Sequence, residues 1–390
     1  MLGISATTVV HPAGHGVTAL WEAVAQGRSG LRPNDLDWCD LPCWTGAAPG
    51  VDDASLAAHV GAWDCRNHRL AWLALQDSAF ARAVATARTR HGAHRIGVIL
   101  GTSTSGIRST EVAYAQRHAN GQWPAAFDYR RTHAVDALCR FSAETLGLQG
   151  PMATVSTACS SSAKVFLLAQ RWIAAGVIDA AVVGGVDSLC LSTLHGFHAL
   201  QLLSPEICRP FDAGRKGISI GEAAGFMLVE ATPAAVSVSG GGESSDAWHM
   251  STPHPEGLGA QDAMRAALAE AGLQAGDIGW VNAHGTATPA NDRSEAAALA
   301  AVFGAAGVPV SSTKGITGHT LGAAGIVEAI ITAAAVERQT LPPSANLDTP
   351  DVSLPVDLVR TARPAALRHA MSNNFGFGGS NCSLIFSAGA

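Results

Sequence analysis

A chain of 390 residues is longer than a single hydrophobic core usually grows, so two units, or one unit duplicated, are expected. Only 14% of the residues are charged, 42 are Gly, and the formal net charge is −6. That balance suits a compact, heavily buried α/β protein and gives no overall basic field for nucleic acid or an anionic membrane. No apolar run reaches transmembrane length, and Met1 to Ser5 lacks a basic region followed by a long apolar core, so the cytoplasm is the expected compartment.

In chain order, Val17 to Gly30 reads as a helix carrying Leu20, Trp21 and Val24. Residues 31–65 read as an irregular surface excursion. The 8 cysteines are scattered at irregular spacing, which predicts reduced thiols in place of a disulfide framework. Cys39 and Cys43, with Cys65 nearby, could be half a zinc site, but no compact second pair supplies the other ligands, so no metal is expected. A long helical pattern runs from Leu70 through Leu73, Phe80 and Val84 to about Arg90, with Arg66 and Arg69 at its opening. Arg95 to Gly101 is an apolar strand leading into Gly101-Thr102-Ser103-Thr104-Ser105-Gly106, which fits neither the dinucleotide nor the P-loop pattern and so does not support nucleotide binding. Residues 107–143 are mixed, with Tyr114, Trp123, Phe127 and Tyr129.

Next comes Thr154-Val155-Ser156-Thr157-Ala158-Cys159-Ser160-Ser161-Ser162-Ala163. Val155 to Thr157 reads as the end of a buried strand, and Ala163, Phe166, Leu167 and Gln170 mark a helix that Gly176 stops. Cys159 therefore stands at a helix N-terminus, where unpaired N–H groups and the macrodipole favour a thiolate. A buried structural Cys is the bland alternative.

Ile178 to Val186 is a buried strand. A Gly-rich loop, Gly214-Arg215-Lys216-Gly217 to Gly225, then leads into the strand Phe226 to Glu230. The small residues of Pro233 to Ser245 suggest a boundary, dividing the chain into 1–235 and 236–390. The second part repeats the first. Ile278 to Asn282 followed by His284-Gly285-Thr286-Ala287-Thr288 echoes Ile96 to Leu100 and its loop. Val310 to Thr313, the turn Lys314-Gly315-Ile316-Thr317-Gly318-His319 and a helix from Leu321 to Glu337 echo the strand, the Cys159 turn and its helix. Alternating strands and helices in two copies predict two stacked α/β halves. The tail Asn373-Asn374-Phe375-Gly376-Phe377-Gly378-Gly379-Ser380-Asn381 is a Gly-rich turn between strands.

Taken together, the Cys159, His284 and His319 stretches and this tail resemble the β-ketoacyl synthases of the Cys-His-His condensing class over nearly the whole chain. The resemblance implies a thiolase-like fold: two pseudo-symmetric α/β halves in five layers, αβαβα, with the loops of both halves meeting at the pseudo-twofold axis. It implies decarboxylative condensation of an acyl chain on Cys159 with malonyl-acyl carrier protein, in fatty-acid or type II polyketide and aryl-polyene assembly. Cys159 would be the nucleophile, with its own N–H and that of Phe377 as oxyanion hole. His284 and His319 would hold the enolate, Lys314 would support them, and Glu328 would pair with Lys314. Thr286 and Thr288, with Phe375 and Gly378, would line the substrate path, and Phe377 would gate it. Substrates would arrive on the phosphopantetheine of the carrier, with no resident cofactor. Arg66, Arg69, Arg209 and Lys216 would form a basic patch for that acidic partner. A homodimer, or a heterodimer with a homologous chain-length partner, is implied. A thiolase remains an alternative, although it would want a second reactive Cys in the tail loop, and Cys382 lies past it. A Cys-His-Asn synthase would carry Asn at His319. A non-catalytic partner subunit would lack the nucleophile.

Overall fold

The computed structural model describes residues 1–304 and 307–389, with the backbone alone at 118–120. The principal strands are β1 (Leu2–His11), β2 (Ile96–Gly101), β3 (Met152–Val155), β4 (Ala180–Asp187), β5 (Ala223–Glu230), β6 (Val236–Ser245), β7 (Trp280–Asn282), β8 (Pro309–Ser311), β9 (Asp357–Leu358), β10 (His369–Phe375) and β11 (Ser380–Ala388). The principal helices are α1 (Gly16–Ala25), α2 (Arg66–Leu75), α3 (Ser78–His91), α4 (Ile107–Asn120), α5 (Ala137–Leu146), α6 (Ser161–Ala174), α7 (Leu191–Ala199), α8 (Leu258–Ala271), α9 (Pro289–Phe303) and α10 (Ala324–Arg338).

The strands follow one order twice: β1, β5, β4, β2, β3 and then β6, β11, β10, β7, β8, with β9 added at the far edge. In both sets the first two junctions are antiparallel and the last two parallel. The sets touch where β1 meets β6, at Leu2↔Val238 and Gly3↔Ser237. Each strand alternates its faces, as the pleat requires. In β5, Ala223, Met227 and Val229 enter the central core, while Ala224, Phe226 and Leu228 enter an outer one. In β11, Leu384 and Phe386 face the centre and Ile385 the other outer core.

α6 and α10 fill the middle layer, following β3 and β8 of their respective sets. α10 is apolar and buried around most of its circumference, as a helix between two sheets must be. A Cβ on Gly325 would lie 2.4 Å from the backbone N of Ala163, so glycine there lets the starts of the two helices touch. α2, α3 and α5 pack over the first set, α8 and α9 over the second. The result is the thiolase-like αβαβα arrangement.

Three expectations are corrected. The single helix from Leu70 to Arg90 is two, because Asp77 accepts from the N–H groups of Ala79 and Phe80 and caps a new helix. The Pro233 to Ser245 stretch is mostly β6, a full strand. Its small residues serve packing: a Cβ on Gly242 would fall 2.0 Å from the carbonyl oxygen of Ala263 on α8. β3 is an edge strand with Met152 48% exposed, so the run before Cys159 is not a buried one.

Candidate active site

β3 stops at Val155, and four residues later the chain delivers Cys159 to the start of α6. Ala158 is left-handed (φ 52°), and the Thr157 N–H donates to Ser161 Oγ at 2.9 Å, which closes the turn. Cys159 is 5% exposed. The thiolate expectation fails here. Burial pushes the thiol up to about 11, although Lys314 and the N–H groups of Phe377 and of Cys159 itself pull the other way. Desolvation outweighs the helix end.

The second half brings two imidazoles to the same point. Behind His284, the N–H groups of His284 and Gly285 donate to the Glu295 carboxylate at 2.8 and 2.7 Å. His284 Nδ1 lies 3.3 Å from Lys314 Nζ, which in turn contacts Glu328. Asn374 Nδ2 donates to the other Glu328 oxygen at 2.5 Å. His319 Nδ1 accepts the Leu321 N–H at 3.1 Å, while its Nε2 lies 3.0 Å from Cys159 Sγ. The two rings are nearly perpendicular, with centroids 5.3 Å apart.

Burial, together with the Lys314 charge, holds both imidazoles well below their usual range, so both are neutral. For His284 the neighbouring His319 adds to this. A backbone N–H and an ammonium can only donate, so each Nδ1 is an acceptor and each neutral ring carries its proton on Nε2.

The cavity at Cys159 has a volume of about 180 Å³ and is lined by His284, His319, Thr286, Thr288, Phe375 and Gly378, among others. A second cavity of about 340 Å³, running past Ser103, Thr104, Ile107 and Thr193, shares Cys159, Phe197, Leu200 and Phe377 with the first. Phe377 thus stands between them, packed on Phe197 at 5.3 Å. Thr286 and Thr288 Oγ1 atoms are 3.0 Å apart.

The expected basic patch is not an unpaired cationic surface. Arg66 turns inward, 9% exposed at its side chain, and binds the fully buried Glu222 through Nε and Nη2 at 2.8 and 2.7 Å as well as contacting Asp52. Arg69 is held by both oxygens of Asp64, Arg209 contacts Asp348, and Lys216 meets Glu206 at 2.6 Å. With 31 acidic against 25 basic residues, nearby carboxylates are plentiful enough to take up these cations. Among the described residues, Cys39, Cys43 and Cys65 gather no metal-ligand set, and the group with such spacing is Cys159, His284 and His319. Cys382 is buried in β11, where burial pushes its thiol above the usual range.

Several positioning carboxylates escaped the sequence reading. Asp187, at the end of β4, accepts from the N–H groups of Ser103, Thr104 and Gly322 and so ties the 101–106 loop to the His319 turn. Asp292 accepts from Phe211 and Ala287 N–H, and burial pushes it up to about 6. Glu295 is pushed up to about 7 by the same cause. Their only sequence signal is the acidic spacing in Asn291-Asp292-Arg293-Ser294-Glu295, which also reads as an ordinary helix start.

Fold and cavity define a class, the thiolase-like condensing acyltransferases. The N-terminal domain profile of β-ketoacyl synthases matches residues 2–235, and the C-terminal domain profile matches residues 235–348. The chain is 34% identical to 3-oxoacyl-[acyl-carrier-protein] synthase 2 of Vibrio harveyi, over 97% of this chain and 96% of that one. It is 38% identical to nodulation protein E of Rhizobium meliloti over 75% of each. Its fold superposes with a TM-score of 0.91 on a ketosynthase from Xenorhabdus doucetiae solved with its chain length factor, at 37% identity over 99% and 98% of the two chains. The chain belongs to the β-ketoacyl synthase family.

Proposed function

We propose that the protein joins an acyl chain held on Cys159 to a malonyl unit delivered on acyl carrier protein, and that the two halves, 1–235 and 236–390, divide the work. The observation that carries this is the meeting of one sulfur, two imidazole Nε2–H donors and two backbone N–H groups at a single buried cavity. In the first stage Cys159 Sγ attacks the acyl thioester carbonyl. The oxyanion sits against the N–H groups of Cys159 and Phe377, and the carrier thiol leaves with the proton the cysteine loses. In the second, the malonyl carboxylate departs as CO₂. The enolate oxygen accepts from His284 and His319, and its carbon attacks the Cys159 thioester, freeing the sulfur as a thiolate that takes a proton from water to return to the thiol. The thiol is neutral at rest, so the proton moves during attack.

The neutral, Nε2-protonated imidazoles suit this role. A charged pair would hold the malonyl carboxylate tightly, whereas neutral donors gain most when charge reaches the thioester oxygen. Lys314 and Glu328 hold the ring of His284 in place. Thr286, Thr288, Phe375 and Gly378 line the path of the phosphopantetheine arm, and movement of Phe377 off Phe197 opens the larger cavity to the acyl chain. These steps require no resident cofactor, and a carrier-borne malonyl substrate is in keeping with the cytoplasm. No helix among the described residues is long and apolar enough to cross a membrane.

One relative is a 3-oxoacyl-[acyl-carrier-protein] synthase and one similar structure is a ketosynthase solved with its chain length factor, and the same chemistry serves both. We infer that this chain pairs with a homologous chain across the edge of β3. There Val112, Tyr129, Val135 and Met152 are between 41% and 53% exposed. Intact mass spectrometry of the protein after incubation with a panel of acylated carrier proteins tests the assignment. An acyl adduct on Cys159 is expected; acylation that persists in Cys159→Ala overturns it.

A further inference from the structure

Cys159, His284 and His319 present a sulfur and two ring nitrogens within 4.8 Å of one another, buried, beside an open cavity. One thiolate and two imidazoles with a vacant fourth position is a donor set that Zn²⁺ or Co²⁺ takes readily. A ligating imidazole must offer a lone pair to the metal, and its other nitrogen then carries the proton and donates to a carboxylate, carbonyl or water. Here both rings are backed the wrong way round. His319 Nδ1 faces the Leu321 N–H at 3.1 Å, and His284 Nδ1 faces the Lys314 ammonium at 3.3 Å. If either Nε2 gave its lone pair to a metal, the proton would move to Nδ1 and confront another donor. The ammonium adds a positive charge directly behind the site, and Glu328 and Asn374 hold it in place.

We propose that the Cys-His-His group is a latent transition-metal site that Lys314, with the Leu321 N–H, keeps free of metal. The same contacts that make the imidazoles donors toward an enolate deny them to a cation. Lys314 would then be a positioning residue with a second duty: protecting a nucleophilic cysteine from zinc. This inference rests on the donor geometry alone and stands apart from the reaction proposed above.

Zinc affinity, measured by competition with a chromophoric chelator, tests it. The wild-type enzyme should bind Zn²⁺ no more tightly than Cys159→Ala, because the triad contributes nothing while Lys314 is present. The charge-balanced variant Lys314→Met with Glu328→Gln, which removes the ammonium without stranding a buried carboxylate, frees the His284 ring while the Leu321 N–H still backs His319, and should gain at least tenfold in zinc affinity through Cys159 and His284. Adding Cys159→Ala should abolish the gain. With Co²⁺ the variant should show a thiolate charge-transfer band that is missing from the wild type. A wild-type affinity that falls tenfold on Cys159→Ala overturns the proposal, as does a folded double variant that gains nothing. Should circular dichroism show the variant unfolded, Lys314→Met alone takes its place, with the same gain expected and its absence in a folded protein overturning the proposal.

Discussion

The two halves run the same strand–turn–helix unit and finish it differently. In the first, β3 reaches α6 through a short turn that presents the Cys159 sulfur at the helix start. In the second, β8 reaches α10 by way of the one-turn helix Lys314–Thr317 and the short 3-10 turn Leu321–Ala323, and the extra length is what carries Lys314 and His319. The loops after the second strand of each set make the same contrast. The 102–104 loop folds its N–H groups around Asp187, and the 284–285 turn folds its own around Glu295, but only the latter carries an imidazole. In the proposed reaction the duplicated scaffold thus yields the nucleophile and its own N–H from the first half, and two imidazoles with the Phe377 N–H from the second.

This contrast should be separable by mutation. The largest effect expected is on the side-chain donors. His284→Ala and His319→Ala should slow malonyl decarboxylation by about 100- to 1,000-fold, the usual cost of one such donor, while transfer of the acyl group to Cys159 falls much less. Equal losses in both half-reactions would merge the two roles. On the backbone side, Gly376→Ala would bring a Cβ to 2.9 Å from Thr157 O and 3.4 Å from Cys159 N. It should impair acylation by roughly tenfold or more through the oxyanion N–H groups, with decarboxylation less affected. Stopped-flow acyl transfer and CO₂ release, measured in parallel, would show whether that ordering holds.

Alkylation of Cys159 sharpens the electrostatic side of the comparison. Burial raises this thiol to about 11, so the neutral form dominates near pH 7. Iodoacetamide requires the thiolate, so its rate should climb about tenfold per pH unit through pH 9. A plateau below pH 8 would restore the helix-start thiolate. The smallest contrast lies in the two arginines of α2. Arg66→Ala strands buried Glu222 and should cost about 3–5 kcal/mol by denaturant melting, whereas Arg69→Ala, losing an exposed pair, should cost about 1 kcal/mol or less. Similar losses from both would mean that Arg66 is not the buried member.

The fold was legible because its unit occurs twice with the same punctuation: an apolar strand, a Gly-rich turn and a helix. The positions of Cys159, His284 and His319 follow from that repetition, since equivalent turns in stacked halves must meet. What could not be read were states and partners. The protonation of Cys159 depends on how deeply the whole assembly buries it, and Arg66 faces inward because Glu222, 156 residues away, waits there. Asp187 and Glu295 look like ordinary acidic residues until the loops close on them. The β6 strand was hidden by small residues that read as a linker and serve to admit α8.

The division of labour itself is tested most directly in a protein without the nucleophile. Cys159→Gln places an amide where the acylated sulfur would be, and its CO₂ release from malonyl-carrier protein should persist. Adding His284→Ala to the same protein should lower that release by about 100-fold or more. A folded Cys159→Gln that releases no CO₂, or one whose release survives the loss of His284, would contradict the account.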